Sequence, residues 1–555
     1  MLTNNELEQA PVAPSQLKPA RHFAASYSGE HVAGTEFVIG ASFVAWGVGV
    51  SDVLWGLLWG NLLAVLTWGL ICAPIAVDTR LTLYAYLKKI GGKGLINLYS
   101  VVNGVLFCIL AGAMITVSAS AARILFGIPP QVEWYPTDPG FVAVALLVGS
   151  VVTLVSVRGF RRLAVFAQVC APWMIMMFVV GGLTMFVVLR EAAPAMADQP
   201  LLQRLGSIAD AYVWRGGENG LGVWHVAAFA WIANLAMHGG LSDMTILRYA
   251  RKSSYGYLSA LGMYIGHYVA WVAAGVMGAG AALALGTSIE NLDAGSVAYQ
   301  ALGATGILVV IIAGWTTSNP TIYRAGLAFQ SLYPRWRRTT VTAVTGILTT
   351  VIACFPFVFT QLMNFVGLMG LILSPIGAVI VTEHWLFPRM GLTRYWNYYR
   401  ESYLNGPACL AWGLSLLAAW GFNLLGVHLF FLLMPTWITA MVVYTLAAAW
   451  CGARHPYASQ APQHESELLA RKKAERDYLD NLDTKRQSVK AAAATRGMLV
   501  SATIAVLSIL ACLLLGVYTL KSGDIDIVKD WIFIPTVVYM VSATVWSYLK
   551  EKNSE

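Results

Sequence analysis

The sequence predicts an all-α polytopic membrane protein with about fourteen spans, and three observations carry that prediction. Of 555 residues, 57% are hydrophobic and only 12% charged, with a mean hydropathy of +0.63. That is too little charge to cover a soluble surface of this length. Apolar runs of about 20 residues, long enough to cross a bilayer, recur from Phe37 to Tyr548. Basic residues then gather in alternate loops between those runs.

The runs lie near 34–52, 54–77, 97–125, 139–157, 163–189, 222–247, 257–285, 298–323, 339–358, 361–387, 407–425, 428–450, 497–519 and 530–549. With the N-terminus inside, the inner loops hold Arg80, Lys88, Lys89 and Lys93, then Arg158, Arg161 and Arg162, then Arg248, Arg251 and Lys252. Arg335, Arg337 and Arg338 follow, and Arg389, Arg394 and Arg400 after them. Outer loops 126–138 and 286–296 carry Glu133, Asp138, Glu290 and Asp293 without Lys or Arg. Both termini are therefore expected in the cytoplasm, with the chain in a bacterial inner (plasma) membrane and residues 1–33 as a cytoplasmic tail. The net charge of +8 belongs to this loop pattern, so a nucleic-acid partner is not expected. Seven cysteines lie in or beside apolar stretches without metal-type spacing, which reads as core packing.

Residues 452–496 form a charged, helix-forming linker, read as a solvated spacer. It separates two extra spans, 497–549, from the spans before it.

Three segments carry signs of helices interrupted within the bilayer, where transporters place their sites. The first span, "EFVIGASFVAWGVGVSD", is rich in small residues that let a helix unwind. The sixth, "WHVAAFAWIANLAMHGGLSDMTILRY", is broken at Gly239–Gly240, with Ser242 or Asp243 placed to cap a new half-helix. Trp231, Asn234 and His238 precede that break, and His238 or Asp243 could serve proton coupling. The third, "GWTTSNPTIYR" (314–324), has Pro320, which cannot hydrogen-bond the Thr316 carbonyl. A freed carbonyl beside the Thr316 and Thr317 hydroxyls is a hard-oxygen set suited to a small alkali cation. Glu36 and Arg324, at the inner ends of the first and eighth spans, are expected to pair as an inner gate.

"GWTTSNPTIYR" resembles the eighth helix of nucleobase–cation symporter family 1, the purine, cytosine, allantoin and hydantoin permeases. "LSDMTILRYARK" (241–252) resembles that family's sixth-helix ending, and "GLILSPIGAVIVTEHWLF" (370–387) its tenth helix. The resemblance spans about residues 30–450. It implies a leucine-transporter-type fold: five-helix repeats at 34–189 and 222–387 in inverted orientation, then peripheral helices at 407–450. With 497–549, about four helices would follow the core. It implies sodium held by Thr316, Thr317 and the carbonyls of Ala313, Ala41 and Val44. It also implies a flat solute between aromatic and amide side chains of several helices. Trp231 fits the sixth-helix aromatic; the third span lacks the usual tryptophan and glutamine, leaving Phe107 and Asn103 as the nearest substitutes. Ser42, Trp46, Asn234 and Asn319 complete the candidate solute set.

The function expected is symport of a small planar nitrogen-containing solute with sodium by alternating access. A proton-coupled or uncoupled permease for another polar solute, and a transport-dead sensor signalling through 452–496, are the alternatives. No HExxH or GxSxG motif supports an enzyme, and no filter-like repeat supports a channel.

Overall fold

The structure, a computed structural model, describes residues 10–30, 32–158, 160–217, 221–333, 335–488 and 495–553. The side chains of Arg158, Arg161 and Arg162, residues 1–9 of the tail and residues 489–494 of the linker lie outside the described residues.

The first pass is split into α1 (Ala20–Glu30) and α2 (Thr35–Ala45). Four helices follow: α3 (Val50–Thr79), α4 (Leu83–Phe126), α5 (Pro139–Arg158) and α6 (Phe160–Glu191). After the short α7 (Leu201–Ile208), the sixth pass is split into α8 (Val223–Ala233) and α9 (Met244–Leu247). Next come α10 (Ser253–Leu285), the loop helix α11 (Ala294–Leu302), α12 (Ala304–Leu332), α13 (Arg338–Ala353) and α14 (Val358–Arg389). The chain ends with α15 (Gly406–Leu424), α16 (Leu429–Ala453), α17 (Gln460–Ser488), α18 (Arg496–Ser522) and α19 (Asp526–Lys552). Among the described residues, eleven helices are long and apolar enough to span a membrane. Three shorter apolar helices, α2, α8 and α13, stand at the other expected positions.

Two groups of helices emerge from the packing. α2 lies along α10 and α3 along α8, while α4 lies along α12 and α13 against both α4 and α5. The close approach of α4 to α12 follows from small residues facing each other, as where Gly314 meets Ser118. α18 is held the same way: Ser501, Ala505, Ser508, Cys512, Gly516 and Thr519 form its buried stripe, and its other faces are apolar. α19 is fastened to α6 by Trp173 Nε1 donating to Thr536 Oγ1 (3.0 Å) and Tyr539 donating to the Val169 carbonyl (2.7 Å).

Two segments depart from the sequence reading. The helix α1, "ARHFAASYSGE", falls inside the expected tail because its composition is polar. It folds because Phe23 and Tyr27 are fully buried against α6 and the start of α10. The linker helix α17 is docked rather than a free spacer. Arg80, itself fully buried with φ 59°, pairs through Nε and Nη2 with both carboxylate oxygens of Glu475 of α17, and its Nη1 donates to the carbonyls of Arg248 (2.9 Å) and Ala250. Arg471 donates to the Thr79 carbonyl (2.7 Å), and Lys472 pairs with Asp78. Asp78 also faces Arg394 (3.4 Å) and His384 (3.6 Å). The N-terminal segment joins the same face, where the Val12 and Lys18 amides donate to the carbonyls of Arg80 and Tyr249. These contacts define the tail face of the molecule.

Candidate functional site

Both split passes meet the polar stretch of α12. In the first pass, residues 32–34 separate α1 from α2, and a side chain on Gly34 would begin 3.1 Å from the Gly314 amide nitrogen. Only a glycine lets the two backbones approach so closely. The break therefore precedes the segment assigned from sequence. Ala41 and Val44, expected as ion ligands, lie in the regular helix α2. The Val44 carbonyl accepts from the Gly47 amide (3.1 Å), and Ala41 packs at Gly278 of α10. Both thus lie past the break that meets α12, which corrects the expectation that they sit in the unwound stretch. Its cause is the missed α1, which shifts the first pass toward the N-terminus.

On α12, Thr316 Oγ1 and Thr317 Oγ1 both donate to the Ala313 carbonyl, at 3.2 and 2.7 Å. Three oxygens thus converge in one buried turn, next to the Gly34–Gly314 contact. One turn on, Thr321 Oγ1 reaches Met114 Sδ of α4 (3.5 Å). Pro320 stays inside a continuous α12.

In the sixth pass the backbone turns left-handed at Leu235 (φ 57°), Gly239 (74°) and Gly240 (67°). Short turns at Ala236–His238 and Leu241–Asp243 follow, so the break extends from Asn234 to Asp243. His238 Nε2 lies 2.9 Å from Ser242 Oγ. Asp243 makes no side-chain cap; its carboxylate accepts from Trp68 Nε1 of α3 (2.9 Å) and pairs with Arg324 of α12 (3.1 Å). Arg324 thus engages Asp243, and the expected Glu36–Arg324 gate is not formed. Glu36 turns toward α10 instead, where it accepts from Trp271 Nε1 and faces His267 Nε2 (3.3 Å). The two were assigned to one side of the membrane, but Glu36 follows the break and so sits a helix half away from Arg324.

The expected solute residues are not brought together. Trp231 donates to Thr67 of α3 (2.9 Å), and Asn234 donates to Asn61 of α3 (3.0 Å). One helical face carries both residues, and that face packs on α3. Asn319 donates to the Trp315 carbonyl (2.8 Å) and accepts from Ser156 of α5, so it faces away from the first pass. Asn103 donates to Tyr84 (2.8 Å). Its register is set by the pairing of Ser100 with Ser331 (2.5 Å) and of Met114 with Thr321, which places Asn103 about 16 Å along α4 from Met114, toward the tail face. Phe107, fully buried, lies between these levels. Ser42 bonds back to the Val38 carbonyl (2.8 Å), and Trp46 joins an aromatic cluster with Phe43, Phe229 and Phe430 at the opposite face.

The side chains of α4 level with the threonine pair are Met114, Val117 and Ser118, none singled out from sequence. Met114 is one full heptad beyond Phe107, which is the pattern that could have found it.

No family model and no curated sequence matches the chain. Among solved structures, it is similar to Mhp1, a nucleobase-cation-symport-1 family transporter, in a closed conformation with bromovinylhydantoin bound. The TM-score is 0.62 at 15% identity, covering 84% of this chain and 99% of that one. The inward-facing conformation of Mhp1 matches with a TM-score of 0.62 at 13% identity over 84% and 98% of the two chains. A sodium-coupled sialic acid symporter in a substrate-bound outward-open state matches with a TM-score of 0.55 at 12% identity over 78% and 90%. These are membrane transporters, not enzymes. At such identities the likeness establishes fold: an all-helical membrane protein of the leucine-transporter type.

Proposed function

We propose that the chain is a secondary transporter that moves a small solute together with sodium by alternating access. The observation that carries this reading is the oxygen cluster of Ala313, Thr316 and Thr317 at the point where the first-pass break presses on α12. Two hydroxyls and a carbonyl in one turn suit a hard alkali cation, and an unwound neighbour is where such ions bind in this architecture. The first and second five-helix units, with α15 to α19 outside them, would supply the moving and fixed parts. The N-terminal segment and α17 would lie in the cytoplasm, on an inner membrane.

The solute site would lie between the two breaks, lined by Met114, Val117 and Thr321. Such a lining would set the Thr321 hydroxyl against the apolar Met114 and Val117 side chains, which would suit a small planar nitrogen-containing solute. Asp243–Arg324, tied to Trp68, would be the inner gate in place of Glu36–Arg324.

Thermal unfolding of the purified protein against nucleobases, hydantoins and related solutes tests this, in sodium and with choline replacing it. A bound solute at a hundredfold excess over Kd stabilises by about 2.7 kcal/mol. Stabilisation that needs sodium and is lost in Thr316→Ala/Thr317→Ala is the expected outcome. Stabilisation indifferent to both sodium and the threonines would overturn sodium coupling at this site.

A further inference from the structure

A second buried polar constellation lies in the other helix group and shares no residue with the α12 cluster. It joins four passes through Glu36 of α2, Asn61 of α3, Asn234 after α8, and His267 and Trp271 of α10. All five are buried, His267 the most exposed at 8%. The backbone of α10 widens to a π-helical register over Leu261–Tyr268, which carries His267 into this space.

The hydrogen-bond partners decide where the protons are. Asn234 Nδ2 donates to the Ala230 carbonyl (2.7 Å) and to Asn61 Oδ1 (3.0 Å), so its Oδ1 is an acceptor. His267 Nδ1 lies 2.7 Å from that oxygen and must carry a hydrogen. The other ring nitrogen, Nε2, is 3.3 Å from Glu36 Oε1, and the second Glu36 oxygen accepts from Trp271 Nε1. With Nδ1 protonated, a neutral ring would turn the Nε2 lone pair toward an ionised carboxylate, and nothing would join them. Either an imidazolium facing a carboxylate or an imidazole facing a carboxylic acid satisfies the contact. Both contain one more proton.

We infer that Glu36 and His267 form a one-proton binding site inside the helix group that contains both breaks. The proton cancels the buried charge of Glu36 and joins α2 to α10. Its loss leaves an uncompensated carboxylate in an apolar interior, a state that those helices relieve only by parting or admitting water. Proton binding is thereby linked to how the first, second, sixth and seventh passes pack, whatever solute or sodium does at α12.

The other titratable groups on the elements around the pair occupy separate places. Tyr264 and Tyr268 donate to the carbonyls of Leu58 and Leu54, and Asp52 accepts from the Val223 amide. Tyr27 is buried on α1, and Glu290 is exposed in the loop beside α2.

Trp271 reports on the site, since its ring stacks on His267 (4.7 Å between centroids, 14°) and its N–H meets Glu36. Tryptophan emission of the full-length protein is titrated with pH, and the component removed by Trp271→Phe is taken as the signal. A single step is expected in the wild type and its loss in both Glu36→Gln and His267→Gln, because the proton is held between the two side chains. Glu36→Gln keeps the shape and donates an amide N–H to Nε2, so it mimics the protonated pair. Should Trp271→Phe fail to fold, the pH dependence of the unfolding midpoint, compared between wild type and Glu36→Gln, is read instead and should be smaller in the variant. A flat wild-type response, or a step that survives in either single variant, overturns the site.

Discussion

At the tail face, charged groups hold neighbouring elements together: Arg80 with Glu475, Asp78 with Lys472 and Arg394, and Asp243 with Arg324. At the opposite face, Phe43, Trp46, Phe229 and Phe430 meet edge to face or tilted, with ring centroids 5.1 to 6.1 Å apart. Arg123 and Asp293 pair there too (2.7 Å), but they anchor the loop before α11 to the end of α4. The contrast separates two ways of closing the ends of the helix groups. Aromatic closure rests on apolar area and is nearly indifferent to salt and pH. Ionic closure rests on a few specific partners, is costly to leave half-made, and responds to protons and screening.

The largest expected effect is on the tail face. Glu475→Ala leaves the Arg80 guanidinium buried without its counter-charge, a change that destabilises by about 3–5 kcal/mol. Thermal unfolding reads the loss, and replacing both partners by methionine should recover much of it. A cost under about 1 kcal/mol would mean that α17 is only loosely seated.

A directional test comes next. In a cysteine-free background, a thiol at position 321 is probed from each side. Asp243→Ala should speed labelling from the tail face on the order of tenfold, corresponding to about 1.4 kcal/mol. Trp46→Ala should leave that rate alone and raise labelling from the opposite face. Equal effects of both variants on both sides would erase the distinction between the two closures.

The smallest effect concerns His464 of α17, which bonds the Tyr399 hydroxyl (3.0 Å). Burial lowers the His464 pKa below its usual value, and the charge of Lys89 adds to this. The docked state therefore takes up a proton less readily than the released one. Docking is intact above the ordinary histidine value of about 6.5 and weakens as pH falls below it. Hydrogen exchange of residues 460–475 should quicken modestly over that range, and His464→Gln should remove the pH dependence. Exchange at residues 43–50, on the aromatic side, should not follow.

Much of the architecture is legible in the sequence because bilayer spans announce themselves by length and apolarity, which needs no tertiary information. The sixth-pass break is equally legible, since adjacent glycines at 239 and 240 have few other uses within a span. Hidden from the sequence is what depends on facing partners. α1 is polar along its length and is held only by what it packs against. Trp231 and Asn234 are conspicuous, but a helix of known phase can still turn its polar face to either neighbour, and α3 supplies Thr67 and Asn61 to meet it. Arg324 was recognisable as a charge needing a partner. Which of two acids on the same pass order would meet it depends on where the first helix breaks.

Arg80 and Glu475 are separated by 395 residues. At synthesis rates of about 5–20 residues per second, the counter-charge emerges roughly 20–80 s after the arginine it neutralises. Over that interval the helices from α4 to α16 are made while the Arg80 guanidinium is without its counter-charge. Completion of α17 is then the event that supplies the counter-charge. A fragment that lacks α17 would keep the Arg80 bonds to the Arg248 and Ala250 carbonyls but not its counter-charge.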